Sequence, residues 1–323
     1  MKLMNPAVLA AATAMAAFLS TAASAQTVIR VGHGAQAGHP THLGLLRLSE
    51  IVAERTDGEV QIEVFADRQL GEEREMVEGL QLGTVDMTVV STGPLNAFVP
   101  EIAVLDLPFL FRDSQHAYGV LDGEVGQEIL AKFEGAGILG LGYFENGWRH
   151  LTTKGAVDAR EDLQGVKLRT MQNPVHMAAF EAMGASPVPM AWGEVFTSLG
   201  QGVIDAQENP ITVIYTNSLW EVQSHVTLTG HVYGPHVILA SQVVWDGLPE
   251  DARTAISEAM PEVIAFQRQE SQRLEAEQID LLRDKGMTVS DVDPAPFREA
   301  AQAVYSQFSD RFDPSMLERI QAQ

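Results

Sequence analysis

The residue in this chain best suited to holding a small anion is Arg169. It sits in the run Gly165-Val-Lys-Leu-Arg169-Thr-Met-Gln-Asn173-Pro174, at the end of an apparent short strand and just before a helix that a proline opens. The carboxyl end of a strand facing a helix start is where α/β proteins hold anions. A guanidinium there grips a carboxylate with two parallel hydrogen bonds, which a lysine ammonium cannot do. Read from pattern alone, Arg169 suits an ion pair with one of the chain's many acidic residues equally well. The surrounding stretch from Gly147 to Pro210 is the most informative in the chain. It holds Gly147-Trp148-Arg149, Met190-Ala-Trp192-Gly-Glu194 and Gln207-Glu208-Asn209-Pro210.

Other candidate motifs yield less. Gly32-His33-Gly34 with Gly38 follows the first strand, but the spacing misses G-x-G-x-x-G and no Lys-Ser/Thr follows for a phosphate loop. It reads as a glycine-rich turn that can line a cleft. His39 and His42, three apart, can share a helix face, but without further ligands they read as capping and solvated residues rather than a metal site. There is no G-x-S-x-G and no Ser-His-acid spacing. Carboxylate pairs carry little information in a chain with 43 acidic residues. Binding groups without a nucleophile and base predict a binder rather than an enzyme, with no cofactor and no metal.

Composition narrows the setting. Lys2 is the only charge before Arg30, Ala7–Leu19 is almost wholly apolar, and Ala23-Ser24-Ala25 closes the segment. This reads as a secretory leader over residues 1–25, with the mature chain starting near Gln26. The apolar run is shorter than the roughly 20 residues that a membrane span needs. No later segment reaches that length without charge. Cysteine is absent, which excludes a disulfide scaffold and thiol chemistry. A chain of 323 residues that is 46% hydrophobic can fill two domains. With 21 basic against 43 acidic residues, the formal charge is −22. That argues against nucleic acid as a partner. An anionic ligand would be held by a few local cations against an unfavourable overall field.

The elements that must position Arg169 follow from periodicity. Thr27–Val31, Glu59–Phe65 and Asp86–Val90 read as strands, with helices over Thr41–Arg55 and Glu72–Leu82 between them. That rhythm predicts parallel sheet with crossover helices. Ser114–Phe133 reads as helix interrupted near Gly123, and Ile138–Phe144 as a buried strand. Lys167–Thr170 and Ser186–Pro189 read as short strands flanking a helix at Pro174–Met183, with more helix at Glu194–Leu199. Val237–Val244 reads as a strand. Pro249 opens a long helix that reaches about Lys285, disturbed at Pro261, and Pro294 and Pro314 punctuate two terminal helices. No flexible linker separates the halves. Two α/β lobes with several crossings predict a cleft that closes by hinge motion.

The segments LQGVKLRTMQNPV, MGASPVPMAWGEVF and LGQGVIDAQENP resemble the signature of the extracytoplasmic subunits of tripartite ATP-independent periplasmic (TRAP) transporters. DRQLGEEREMVEGLQLGTVDMT and LPEDARTAISEA extend the resemblance over nearly the whole mature chain. It implies a two-lobed α/β periplasmic binding protein fold with mixed sheets, hinge crossings and a long helix spanning both lobes. The corresponding boundaries are 26–146 with 235–274 for lobe I, and 147–234 with 275–323 for lobe II. The implied ligand is a small organic acid clamped by Arg169. A further ligand-facing arginine of some members matches Arg149, which can meet a second acidic oxygen or simply hold Arg169 in place; the asparagine of QENP matches Asn209, and the aromatic after PMA matches Trp192. By position, Ser91, Thr92 and the turn at His33 face the cleft from the first lobe, and Tyr233 lies in the return crossing. Ala206 stands where many members have Gly. Trp192 also fits plain core packing and Asn209 a helix cap. Hydroxyl-capable Ser91, Thr92, Asn209 and Tyr233 favour a sugar acid (a uronate or aldonate) over a four-carbon dicarboxylate. An enzyme acting on a carboxylated sugar and the binding part of a sensor are the other readings. The expected partners are the integral membrane subunits of the transporter, the expected location is the periplasm, and the expected state is a monomer.

Overall fold

The computed structural model describes residues 26–323; the expected leader, 1–25, lies outside them. In chain order the elements are β1 (Thr27–His33), α1 (Pro40–Arg55), β2 (Val60–Phe65), α2 (Glu73–Leu82), β3 (Met87–Ser91), the short α3 (Thr92–Leu95), a 3-10 segment at Pro100–Asp106, α4 (Ser114–Asp122), α5 (Glu124–Lys132) and β4 (Ile138–Thr153). They continue with β5 (Lys167–Thr170), α6 (Pro174–Ala182), β6 (Ser186–Pro189), α7 (Val195–Gln201), β7 (Ala206–Pro210), α8 (Ile211–Thr216) and β8 (His225–Ser241). The chain ends with α9 (Gln242–Gly247), α10 (Glu250–Asp284), β9 (Thr288–Asp291), α11 (Ala295–Gln307) and α12 (Pro314–Ala322).

The strands line up in the order β2-β1-β3-β8-β4-β7-β5-β6, with β9 beside β8. One end is parallel (β2, β1, β3) and so is the other (β7, β5, β6), while β4 and β8 join them antiparallel. The parallel ends arise as the alternating pattern predicts. In β1, Ile29 and Val31 point into the core, and α1 covers them with Leu45, Leu48, Ile51 and Val52. A proline in the first turn of α1 and His39, whose Nδ1 accepts the Thr41 N–H at 3.2 Å, start that helix. Gly83, at φ 70°, ends α2 in the left-handed conformation that glycine adopts without strain.

Two features tie the lobes together. β4 and β8 have 16 and 17 residues, so each spans about 50 Å and belongs to both lobes. α10 runs unbroken for 35 residues through Pro261, about 52 Å. It packs on α1 in one lobe and on α8 and β9 in the other. The β4–β8 ladder shifts register between Gly140 and Gly142, Glu145 and Gly147, and Arg149 and Leu151. Bulges of this kind bend and twist a strand pair.

The structure departs from the expected elements in three places. The strand expected at Ile138–Phe144 continues to Thr153. The strand expected at Val237–Val244 begins at His225 and ends at Ser241, where Ser241 caps α9 instead. In both, buried polar residues and glycines carry the strand past the apolar run, because pairing with a neighbour satisfies the backbone. Third, α12 falls within the expected lobe II range but packs on α4 and α5: Arg319 pairs with Glu128 at 2.6 Å, and His116 Nε2 lies 2.8 Å from the Ile320 carbonyl.

Candidate functional site

The carboxyl ends of β1, β3, β5 and β7 converge on one cleft of about 580 Å³, mouth included. They bring His33, Ser91, Arg169 and Asn209 to its wall, joined by Asn146 of β4, His236 of β8 and Trp192 of the loop after β6. Of the residues singled out from sequence, the structure brings His33, Ser91, Arg169, Trp192 and Asn209 together. Arg149, Thr92 and Tyr233 lie outside the wall.

Arg169 is 3% exposed. Its Nε and Nη2 both donate to the Met190 carbonyl, at 3.0 and 2.7 Å. The Trp192 ring lies 5.4 Å from its guanidinium carbon, within range of a cation–π contact. Among the described residues, no carboxylate lies within ion-pair distance of it. Burial, only partly offset by the more distant Glu208, brings its pKa down to about 10. It therefore remains a cation at neutral pH, desolvated and without a counter-charge, with donors left over for an anion in the cleft.

Arg149 is committed to an ion pair behind the cleft wall. It is 1% exposed and grips Glu208 through Nε and through Nη2 at 2.8 Å. Nη2 also donates to the Asn209 Oδ1 at 3.1 Å. Burial opposes ionisation of Glu208, but Arg149 and a hydrogen bond with His231 outweigh it and hold the carboxyl far below its usual range. With Oδ1 taken by Arg149 and Nδ2 bonded to Gln207 Oε1 at 2.6 Å, Asn209 has its amide orientation fixed. Its second Nδ2 hydrogen remains available to a ligand.

Thr92 turns away from the cleft because it starts α3, and its hydroxyl bonds to Asp106. Tyr233 is 2% exposed and packs edge-on against Trp148, Phe111 and Tyr118. Its strand position faces that aromatic cluster, and its expected place toward the cleft is not found.

Sequence reading passed over Glu73, Asn146 and His236. Glu73 Oε1 accepts both the Ser91 N–H at 2.8 Å and its hydroxyl at 2.9 Å. Burial raises its pKa against the pull of those bonds and of Arg169. Asn146 is 3% exposed, and its Oδ1 has no partner among the described residues. His33 and His39 are pushed down to about 3 and about 4, chiefly by burial. Burial also holds His236 low. The histidines are thus neutral hydrogen-bonding groups: His33 Nδ1 accepts the Ala35 N–H, which leaves Nε2 to donate to His42 Nδ1 at 3.0 Å. Nothing in the local sequence distinguishes Glu73 from the other acidic residues. The cleft thus offers one buried guanidinium without an ion-pair partner, Arg169, beside the Glu72 and Glu73 carboxyls, the paired Arg68 and several neutral donors and acceptors; two of its wall histidines bond to hydroxyls, His236 to Thr41 and His39 to Thr212.

The sequence model of the bacterial extracellular solute-binding proteins, family 7, matches residues 31–311. The chain is 36% identical over 288 residues to the 2,3-diketo-L-gulonate-binding periplasmic protein of Escherichia coli (strain K12), covering 88% of each. Its structure matches that of a TRAP periplasmic solute-binding protein from Polaromonas sp. JS666 bound to D-erythronate. That match has a TM-score of 0.89 and 40% identity, and covers 92% of this chain and 98% of the other. A TRAP periplasmic solute-binding protein from Sulfurospirillum deleyianum DSM 6946 with bound succinate matches at a TM-score of 0.88 and 32% identity, over 92% and 99% of the chains.

Proposed function

The chain belongs to the bacterial extracellular solute-binding proteins of family 7, and we propose that it captures a monocarboxylic sugar acid, an aldonate or uronate, in the Arg169 cleft. It is a TRAP-type solute-binding protein, and its family binds and delivers rather than catalyses. The observation that carries the ligand assignment is that, of the two arginines on the cleft wall, Arg68 is paired and the buried Arg169 has no ion-pair partner among the described residues. One such cation calls for one carboxylate, because a buried charge without a partner is costly. Arg149 has its own counter-charge in Glu208 and supports the site by fixing Asn209. A second carboxylate would meet Glu73, or an Arg68 whose charge Asp67 and Glu72 already balance. The groups left over, the Asn146 Oδ1 and an Asn209 N–H, suit hydroxyls. In this reading Arg169 clamps the carboxylate, Trp192 covers a C–H face, and Ser91 and His33 form the first lobe's wall. Thr92 and Tyr233 brace the site from behind.

The lobes that close are 26–146 with 235–274 and 147–234 with 275–323, α12 reaching back onto the first. The chain works as a periplasmic monomer, its leader removed near Ala25, and integral membrane subunits collect the acid. A thermal-shift panel of aldonates, uronates and succinate tests the ligand class. A bound acid at 100 times its dissociation constant stabilises by about 2.7 kcal/mol. Stabilisation by D-erythronate or another sugar acid, lost in Arg169→Lys, supports the reading. Stabilisation by succinate alone makes the chain a dicarboxylate binder.

A further inference from the structure

Near the mouth of the cleft a hydrogen bond crosses between the lobes, outside the buried Thr212–His39 contact: the Gly193 N–H donates to Glu72 Oε1 at 3.2 Å. We infer that Glu72 and Gly193 form a clasp that holds the closed cleft shut and so sets how long a ligand stays. The inference rests on lobe closure, not on which acid is bound.

Both sides of the clasp are tied to the binding site. Gly193 follows Trp192, which lies against Arg169, and the loop's Met190 carbonyl holds the Arg169 guanidinium. On the other side, Glu72 is 3.5 Å from Arg68 Nε, which balances its charge. Asp67 and Arg68 are consecutive non-glycine residues with φ of 49° and 61°, a conformation that side chains adopt at a cost. Their N–H groups donate to the Ala35 and His33 carbonyls at 2.9 and 3.1 Å, so the strained turn fixes the clasp to the loop that carries His33.

Position 193 has room only for glycine while the clasp is made. A Cβ there would lie 2.4 Å from Glu72 Oε1 and 3.5 Å from Arg68 Nε. The obstructing atom is the free end of the flexible, half-buried Glu72 side chain, and Gly193 itself is exposed. An alanine would therefore displace the Glu72 carboxylate without disturbing the core. Gly193 does not have a positive φ, so it is the space, not the backbone conformation, that requires glycine.

The chain has no cysteine, which permits a reporter that needs no ligand. A Cβ on Gly38 would stand 4.0 Å from Thr216 Cγ2, so Gly38→Cys with Thr216→Cys brings two thiols within reach of each other, for disulfide formation, when the lobes close. Its oxidation rate in ligand-free protein, measured with intact folding verified by circular dichroism, reports time spent closed. Adding Gly193→Ala or Glu72→Ala should slow it about fivefold, the factor equivalent to about 1 kcal/mol for one hydrogen bond. The double variant should be no slower than either single, because both remove the same contact. In stopped flow with D-erythronate, the variants should release faster by a similar factor with unchanged association. Equal oxidation rates in all backgrounds overturn the clasp, and so do single effects that multiply in the double variant. Failure of D-erythronate to bind the wild type would count against the sugar-acid reading and leave the oxidation result to decide the clasp.

Discussion

Replacing Arg169 by methionine should separate binding from folding. The guanidinium is buried without a counter-charge, and a pKa brought down to about 10 corresponds to about 3 kcal/mol by which the fold disfavours the cation. The sign is fixed: a cation whose folded pKa lies below its unfolded value opposes folding throughout the neutral range. Against this stand two hydrogen bonds to the Met190 carbonyl, together about 1–3 kcal/mol. A methionine fills similar volume and removes both terms. Ligand-free Arg169→Met should therefore be as stable as the wild type or up to about 2 kcal/mol more so, as replaced buried charges often are. The ligand should then stabilise the variant not at all. Urea unfolding with and without a saturating sugar acid measures both quantities. A ligand-free loss above about 3 kcal/mol, or a ligand shift that survives the substitution, would refute an Arg169 held in reserve for an anion.

Arg149→Gln should behave in the opposite way. It strands the fully buried Glu208 and should cost about 3–5 kcal/mol in urea unfolding, while weakening ligand binding by calorimetry less than Arg169→Gln does. Glu275 has a pKa raised to about 7, by burial first and by Glu145 next. The folded state keeps a proton that the unfolded chain has released, so stability should fall as pH rises from about 4.5 toward about 7 and then level off. Thermal melts of Glu275→Gln should lack that decline, and an unchanged profile would remove Glu275 as its source. Small-angle scattering should show a smaller radius of gyration with saturating ligand than without it; equal radii would speak against closure.

Much of the architecture could be read from the residues. The strand-helix-strand rhythm at the amino end, the interruption near Gly123 and the long helix α10 all follow from local periodicity. β4 and β8 were half legible. Their apolar halves read as buried runs, but Gly147-Trp148-Arg149-His150 and the start of β8 are strand only because a buried neighbour pairs with them. The site was legible where chemistry and chain position coincide, as at Arg169 at a strand end. It was not legible where facing decides the role. Arg149 has the same chemistry as Arg169, and only the β4–β7 register turns it onto Glu208. Thr92 follows Ser91 but begins a helix and points away. Glu73 and Asn146 carry no signal of type in a chain so rich in acidic and polar residues.

The central claim is that the carboxylate is what Arg169 captures. Calorimetry of the ligand-free wild type against D-erythronate, and against the polyol that has the same carbon chain and a hydroxyl in place of the carboxylate, tests it most directly. The account predicts one saturable site for the acid and no detectable heat from the polyol. Equal affinity for the two would contradict it.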